Sequence, residues 1–324
     1  MKSSTRAHTV PRFYLRNFVA PESEHTTNID PFVWLGSLTT GEVKRRSPKN
    51  VSIESGYYDG PGGFDLPDAS IERHLAKIES EAAIAIAKFA ASPIEECFIV
   101  PQEIWRFIAW QAARTPGWFE LIEDWIYHSP ASDTVQMAEP PPEGIDKIRD
   151  RMRPICLENP DTGERREVTG SEEFDNYRMR GWKWVLQSED RLEMLHMQAW
   201  YFQVRHFPRL SWARLQAPDP DWFITSDRGV SWISDGYAEI PPAALRHPSA
   251  VVVAPLTRKV ALVGRHGDKR FDVTPRQVNQ FIAASASRWI AGPTPNVVDQ
   301  AIQDRATAHR VTNNSDKAPK NFDA

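Results

Sequence analysis

A chain of 324 residues with 41% hydrophobic content carries enough apolar material for one large domain or two modest ones that fold without staples. A net charge of −4 and a pI near 6.2 argue against a general basic field for nucleic acid, and Cys97 and Cys156 are too few for a disulfide framework or a cysteine-built zinc site. No apolar run approaches the roughly 18 residues of a membrane span and no signal-peptide pattern follows Met1, so the expectation is a cytoplasmic protein with no membrane association.

Residues 7–18 (AHTVPRFYLRNF) are the densest in chemistry. Thr9 is a candidate N-cap and Pro11 stands close to a helix start, so a short helix is expected from Pro11 to about Val19. Arg12 and Arg16 then share one face, while Pro11, Leu15 and Phe18 form a buried stripe. His8 precedes the helix, placed either to cap its first turn or to join the arginines at a polar site. Residues 31–36 and 42–46 flank a Thr-Thr-Gly turn and read as a β-hairpin with Gly41 at the turn. The charge is uneven: residues 1–50 hold eight Lys/Arg against four Asp/Glu, and residues 51–81 hold two against seven.

From Asp68 to about Ala91, the spacing of Ile71, Leu75, Ile78, Ala82, Ala85 and Phe89 is helical, with Glu72 and Glu79 on one side of the stripe. These two glutamates are either a solvated flank or partners for Arg12, Arg16 or a metal. Pro101 opens a second helix through Arg114, with Ile104, Phe107, Ile108 and Ala112 turned inward. Arg114, just before Pro116, is either a cap on the helix dipole or an anion contact. A further helix is expected at 118–127, a Pro-rich loop at 129–142 and turn chemistry within 154–170. Helical spacing resumes at Ser171 and runs to about Phe207, with a break at Gly181.

Beyond Pro208 the period changes to two. Residues 210–216, 222–225, 230–233, 251–255 and 259–264 read as strands of one antiparallel sheet. Residues 271–290 return to helix with Thr274 as N-cap and Pro275 at its first position, its buried side being Val278, Phe281, Ile282, Ala286 and Trp289. A last helix is expected after Pro295, then a polar, disordered tail at 312–324. Twelve Trp suit irregular contacts between helices better than a base-stacking surface.

The pattern His8, Pro11, Leu15, Phe18 resembles the opening of the domain of unknown function 4238 family, whose members begin His-x-x-Pro-x-x-x-Leu-x-x-Phe. The resemblance continues through residues 47–51, Tyr57 and Tyr58, Ile71 and Glu72, residues 114–116 and residues 225–227, and so spans most of the chain. That family carries no established activity, so the resemblance supports these positions and implies no reaction.

Residues 223–227 (FITSD) deliver three small polar side chains to the end of an apolar strand, where scaffolds present reactive groups and where hairpins also close on Ser or Asx turns. No Gly-x-Ser-x-Gly elbow surrounds Ser226 and no His-Glu-x-x-His occurs, so a serine triad and a histidine zinc site are disfavoured. A magnesium site from Asp227 with Glu72 or Glu79 is possible chemistry. The expected fold is α+β: a single domain at 1–311, with a helical layer (1–207, including the hairpin) and closing helix 271–290 packed on a mainly antiparallel sheet at 208–265. Two functions suit the residue types. One is a hydrolase of a phosphate-bearing substrate, nucleotide or nucleic acid, toxin-like or a defence effector, with His8, Asp227 and Ser226 catalytic and Arg12, Arg16 and Arg114 holding substrate. The other is a non-catalytic anion-binding or interaction module with a structural His/Arg/Asp network.

Overall fold

In the computed structural model the described residues are 6–24, 30–55, 69–93, 99–114, 155–168, 176–177, 179–184, 195, 199, 202–234, 237–239, 249–267 and 273–315. The first part of the chain forms β1 (Arg6–His8), α1 (Arg12–Arg16), α2 (Pro21–Glu24), β2 (Val33–Ser37), β3 (Val43–Arg46), a 3-10 turn at Pro48–Asn50, β4 (Ile53–Ser55), α3 (Ala69–Ala91) and α4 (Gln102–Ala113). There follow β5 (Ile155–Glu158), β6 (Arg165–Val168), β7 (Lys183–Trp184), β8 (Ser211–Gln216), β9 (Thr225–Ser226), β10 (Ser231–Ser234) and β11 (Tyr237–Glu239). The chain closes with β12 (Val251–Pro255), β13 (Val260–Arg265), α5 (Pro275–Ser285), β14 (Trp289–Gly292) and α6 (Pro295–Ser315). Helices and antiparallel sheets together make the fold α+β, as the periodicities predict. Among the described residues no helix is long and apolar enough to cross a membrane.

Two compact units are present, one of Arg6–Ser55, Ser70–Pro116 and Leu195–Ala324, the other of Met1–Thr5, Gly56–Ala69 and Gly117–Met194. In the smaller, β5 and β6 form a hairpin and β7 pairs on the far side of β5. The turn is closed by the Asn159 side chain, which accepts from the amides of Asp161 and Thr162, and by Gly163 at φ +69. Leu157, Val168 and Trp182 are its buried centre, and Tyr177 packs against them. Gly181 breaks the helical pattern as expected, but Lys183–Trp184 continues as strand rather than helix. The expected helix at 118–127 and loop at 129–142 lie outside the described residues.

In the larger unit, β12 and β13 are apolar on both faces, and Val252, Val253, Ala254 and residues 260–263 are buried. Burial on both faces places them at the middle of a five-stranded antiparallel sheet ordered β11-β10-β12-β13-β8. A second sheet, β3-β2-β14-β9, includes the expected hairpin, with Gly41 at φ +70 in its connection. Thus residues 222–225 do not join the first sheet. The amide of Phe223 is taken by the Arg258 carbonyl and that of Ile224 by the Asn279 side chain, and Thr225–Ser226 pair instead with β14.

Helix α5 has the expected start, a capping box in which Thr274 and Gln277 serve each other's backbone amides. Its end is earlier than the periodicity predicts. Ala286 is extended at φ −62, ψ 141, and Trp289–Gly292 form β14 between β2 and β9. The π-helical turn at Phe202–His206 and the 3-10 turn at Phe207–Arg209 likewise replace regular helix before β8. Helix α6 extends to Ser315, so the polar run after Val311 is helical for its first four residues.

Helices α3 and α4 follow their predicted stripes: Leu75, Ile78, Ala82 and Phe89 are buried on one, Ile104, Phe107, Ile108 and Ala112 on the other. Ring contacts of Phe107 with Phe13 (5.3 Å) and Tyr14 (5.4 Å) seat α1 on α4.

Gly36 on β2 faces α6 so closely that an added Cβ would stand 2.6 Å from Val298 Cγ1 and 2.7 Å from Ile302 Cδ1. The short Val298 side chain has little room to yield. Gly36→Ala is therefore expected to destabilise by about 1–3 kcal/mol through overpacking, read from urea unfolding midpoints. An unchanged midpoint would show that α6 shifts freely over β2.

Candidate functional site

Three residues separate His8, at the end of β1, from Arg12 on α1, and the turn between them is held from two sides. Thr9 is not the helix cap: Pro11 holds that position without a side-chain cap. Thr9 instead bonds Ser52 through its hydroxyl, and its amide donates to the Ser52 carbonyl at 3.1 Å. On the other side Gln111 Nε2 donates to the Thr9 carbonyl at 3.1 Å and approaches the Arg228 carbonyl at 3.4 Å.

Gln111 also organises Arg114. Arg114 Nε and Nη2 donate to Gln111 Oε1 at 3.1 and 3.0 Å, and Nη1 donates to Glu79 Oε1 at 2.9 Å. The Arg114 side chain is 1% exposed and that of Glu79 26%, so a buried guanidinium is compensated by a carboxylate near the edge of the unit. Arg114 is thus both the C-cap residue of α4 and the centre of a polar cluster. Gln111 was legible as the one polar residue in the buried run Ile104, Phe107, Ile108, and it lies one turn before Arg114.

His8 borders this cluster. Its imidazole is half-buried, and desolvation is the main cause that pulls its pKa below the ordinary value near 6.5. The charges of Arg114 and Arg12 act in the same sense, while a bond to the Val51 backbone and the charge of Glu79 oppose them. The Nδ1 atom is buried and has no hydrogen-bond partner. Arg12 and Arg16 are exposed on the outer face of α1, and neither forms a hydrogen bond or ion pair among the described residues.

Ser226 and Asp227 are placed differently. Both are buried, at 0% and 1% exposure. The Asp227 carboxylate accepts from the Ser287 amide (3.0 Å) and the Arg288 amide (2.9 Å), closing the bend between α5 and β14. Burial raises its pKa, and those two amides and the nearby Arg228 charge work against the rise. Ser226 Oγ accepts from the Arg228 amide at 3.3 Å, a Ser turn at the end of β9. The structure therefore brings His8 beside Arg114 and Glu79, with the Arg12 charge acting on its imidazole from α1, leaves Arg16 exposed on α1, and turns Asp227 toward α5 and β14. Among the described residues no group of three His, Cys, Asp or Glu stands ready to hold a metal ion. For the magnesium expectation, Glu79 is engaged by Arg114, Asp227 by backbone amides, and the Glu72 side chain lies outside the described residues.

Two outcomes follow from these environments. Asp227→Ala leaves the Ser287 and Arg288 amides without their acceptor and should cost about 1–3 kcal/mol, with Asp227→Asn milder because one oxygen remains. Equal stability of the alanine variant and the parent in urea melts would remove the bend-closing role. For His8 the sign is set by its lowered pKa: below about 6.5 the unfolded chain takes up the proton while the folded chain resists it, so stability falls on acidification through that value. Urea midpoints at neutral and mildly acidic pH should diverge less in His8→Asn than in the parent. His74, also lowered mainly by desolvation, supplies a residual dependence, and Asp227 acts in the opposite sense at lower pH.

Comparison with curated proteins and with solved structures returned no match. A family model does match, over residues 6–296, which takes in β1, the His8 cluster, the five- and four-stranded sheets of the larger unit and the start of α6. The chain belongs to the family described as Protein of unknown function (DUF4238).

Proposed function

We propose that this protein binds a phosphate-bearing ligand, a nucleotide or nucleic acid, on the surface beside His8, with Arg12 and Arg16 as its cationic contacts. Arg114, Glu79 and Gln111 position that surface, and Ser226 and Asp227 hold the bend behind it. The observation that carries the reading is the pair of exposed guanidiniums at i and i+4 on α1, without partners among the described residues and next to a buried imidazole nitrogen without a bond. Guanidiniums bind phosphate bidentately, and two on one helix face suit a single dianionic group.

A second reading, a hydrolase, has one observation in its favour. His8 holds a pKa below its ordinary value, so its neutral imidazole is available near pH 7, with Glu79 close enough to act on it. In that reading His8 accepts a proton from the water that attacks phosphorus, the P–O bond to the ester oxygen breaks, and the alcohol leaves after taking up a proton. Ser226 as nucleophile and Asp227 as base find no support in their buried positions.

Calorimetric titration with inorganic phosphate and AMP tests the binding. Arg12→Ala with Arg16→Ala should abolish it while changing stability by no more than about 0.5 kcal/mol, as expected for exposed residues. Equal binding by parent and double variant would overturn the proposal. For the second reading, phosphomonoester and phosphodiester substrates are screened with and without Mg²⁺. Any activity found should fall about 10²–10⁴-fold in His8→Ala, and undiminished activity would remove His8 from that role.

A further inference from the structure

Strand register decides which basic residues share a side with α1. Between β2 and β3, Val33 stands opposite Arg46, Trp34 opposite Arg45 and Leu35 opposite Lys44. Leu35 in turn stands opposite Ala291 of β14, and Ala291 opposite Thr225 of β9. Directly opposed residues, and residues two apart on one strand, point to the same face of a sheet. Thr225 donates its hydroxyl to that of Tyr14 at 3.2 Å, so α1 lies on the face that carries Thr225, Leu35, Val33 and Arg46. Arg45 lies on the other face, over the rings of Phe32 and Trp34 and on the side where α6 meets Gly36.

Two tethers bring Arg46 to the end of α1 that carries Arg16. The Ala20 amide donates to the Phe32 carbonyl at 2.8 Å, next to Val33, the partner of Arg46. Helix α1 also packs on the Pro48–Asn50 turn, which begins two residues beyond Arg46. We infer that the ligand of the α1 surface carries two directly linked phosphates, a pyrophosphate group, with Arg46 as cationic contact for the second, an inference resting on the reading of Arg12 and Arg16 given above.

Arg46 is exposed and, like Arg12 and Arg16, forms no hydrogen bond or ion pair among the described residues. Glu42, whose pKa is held down chiefly by its bond to Lys44 (2.7 Å) and least by the Arg46 charge, belongs to Lys44. Asp30 bonds Lys49 at 3.0 Å and Glu24 bonds Arg258 at 2.6 Å, while Glu22 is exposed on α2. Two guanidiniums on one helix face match one dianionic phosphate, and a third on the same side adds donors that a monophosphate leaves unused. A pyrophosphate sets its second anionic group one bridging oxygen from the first. In a nucleic acid strand each phosphate carries a single charge and a sugar separates it from the next, so the pyrophosphate is the denser anion and the better match for three guanidiniums.

The test is calorimetric titration of the full chain, without divalent cations, with inorganic phosphate, AMP, inorganic pyrophosphate, ADP and a short single-stranded oligonucleotide. Each diphosphate should bind about 10-fold or more tighter than its monophosphate, the size of one charge-assisted contact. The ADP and pyrophosphate arms report whether a nucleoside contributes. Arg46→Ala should bring ADP affinity down to that of AMP. Arg45→Ala removes the same charge one residue away, on the opposite face, and should leave the preference for ADP in place. The inference is overturned, with the anion site left standing, if neither diphosphate binds tighter than its monophosphate or if the Arg46 variant keeps the preference. It is equally overturned if the Arg45 and Arg46 variants lose the preference alike, as a general positive field would give, or if the oligonucleotide binds tighter than ADP. Absence of binding to all these anions overturns both readings.

Discussion

A guanidinium taken out of water has to be met by charge and by hydrogen-bond acceptors, and in the larger unit that requirement falls on Arg114. Breaking a buried ion pair by removing one partner typically costs about 3–5 kcal/mol, comparable to a large share of a domain's net stability. Arg114 therefore fixes Glu79 on α3 and Gln111 on α4, and Gln111 spends its remaining donors on the carbonyls of Thr9 and Arg228. Gly229, at φ +69, stands so close that an added Cβ would lie 3.0 Å from Gln111 Cγ. A single buried charge thereby ties together two helices, the N-terminal turn and the turn after β9.

Helix α1 shows what that anchoring achieves. Its inner face is saturated: the Tyr14 hydroxyl sits 2.5 Å from the Pro255 carbonyl oxygen and accepts from Thr225 at 3.2 Å, and Asn17 donates to the Leu256 carbonyl at 3.0 Å. Arg258 returns to the same segment through the Val19 carbonyl and Glu24. Such a short helix has little stability of its own, and its geometry is imposed by these contacts. The outer face is then free to present Arg12 and Arg16 from a rigid support, which lowers the ordering cost of gripping an anion.

The parts of the fold legible in the sequence are those where period and punctuation agree. α3 and α4 carry long apolar stripes bounded by Pro, the hairpin has Gly41 at its turn, and α5 begins at Thr274-Pro275 with Gln277 completing the capping box. The misjudged segments are those where tertiary hydrogen bonds override a local pattern. Ala286 and Trp289 continue the three- and four-residue spacing of α5, yet Asp227 takes the amides of Ser287 and Arg288 and turns the chain into β14. Thr9 has the chemistry of a cap and is recruited by Ser52. At the site, the sequence indicated His8, Arg12 and Arg114, and Gln111 stands one turn before Arg114, but the bonds of Gln111 to the Thr9 and Arg228 carbonyls join α4 to two distant turns that no spacing encodes.

Residues of one chemical type come to different uses here according to how completely the fold satisfies them. Asp227 sits at a strand end, where motifs suggest reactivity, but its oxygens are engaged by backbone amides, and any substrate reaching it would have to displace bonds that close a bend of the chain. His8 is also partly desolvated, yet its Nδ1 has no bond, and the adjoining arginines on α1 have none among the described residues. An unpaired buried nitrogen is costly, on the order of 1–3 kcal/mol, and a fold that leaves one beside two free guanidiniums keeps its unmet bonding capacity on one surface. Unmet capacity, rather than resemblance to a catalytic motif, is the physical ground on which the proposal above looks beside His8 and not at Asp227.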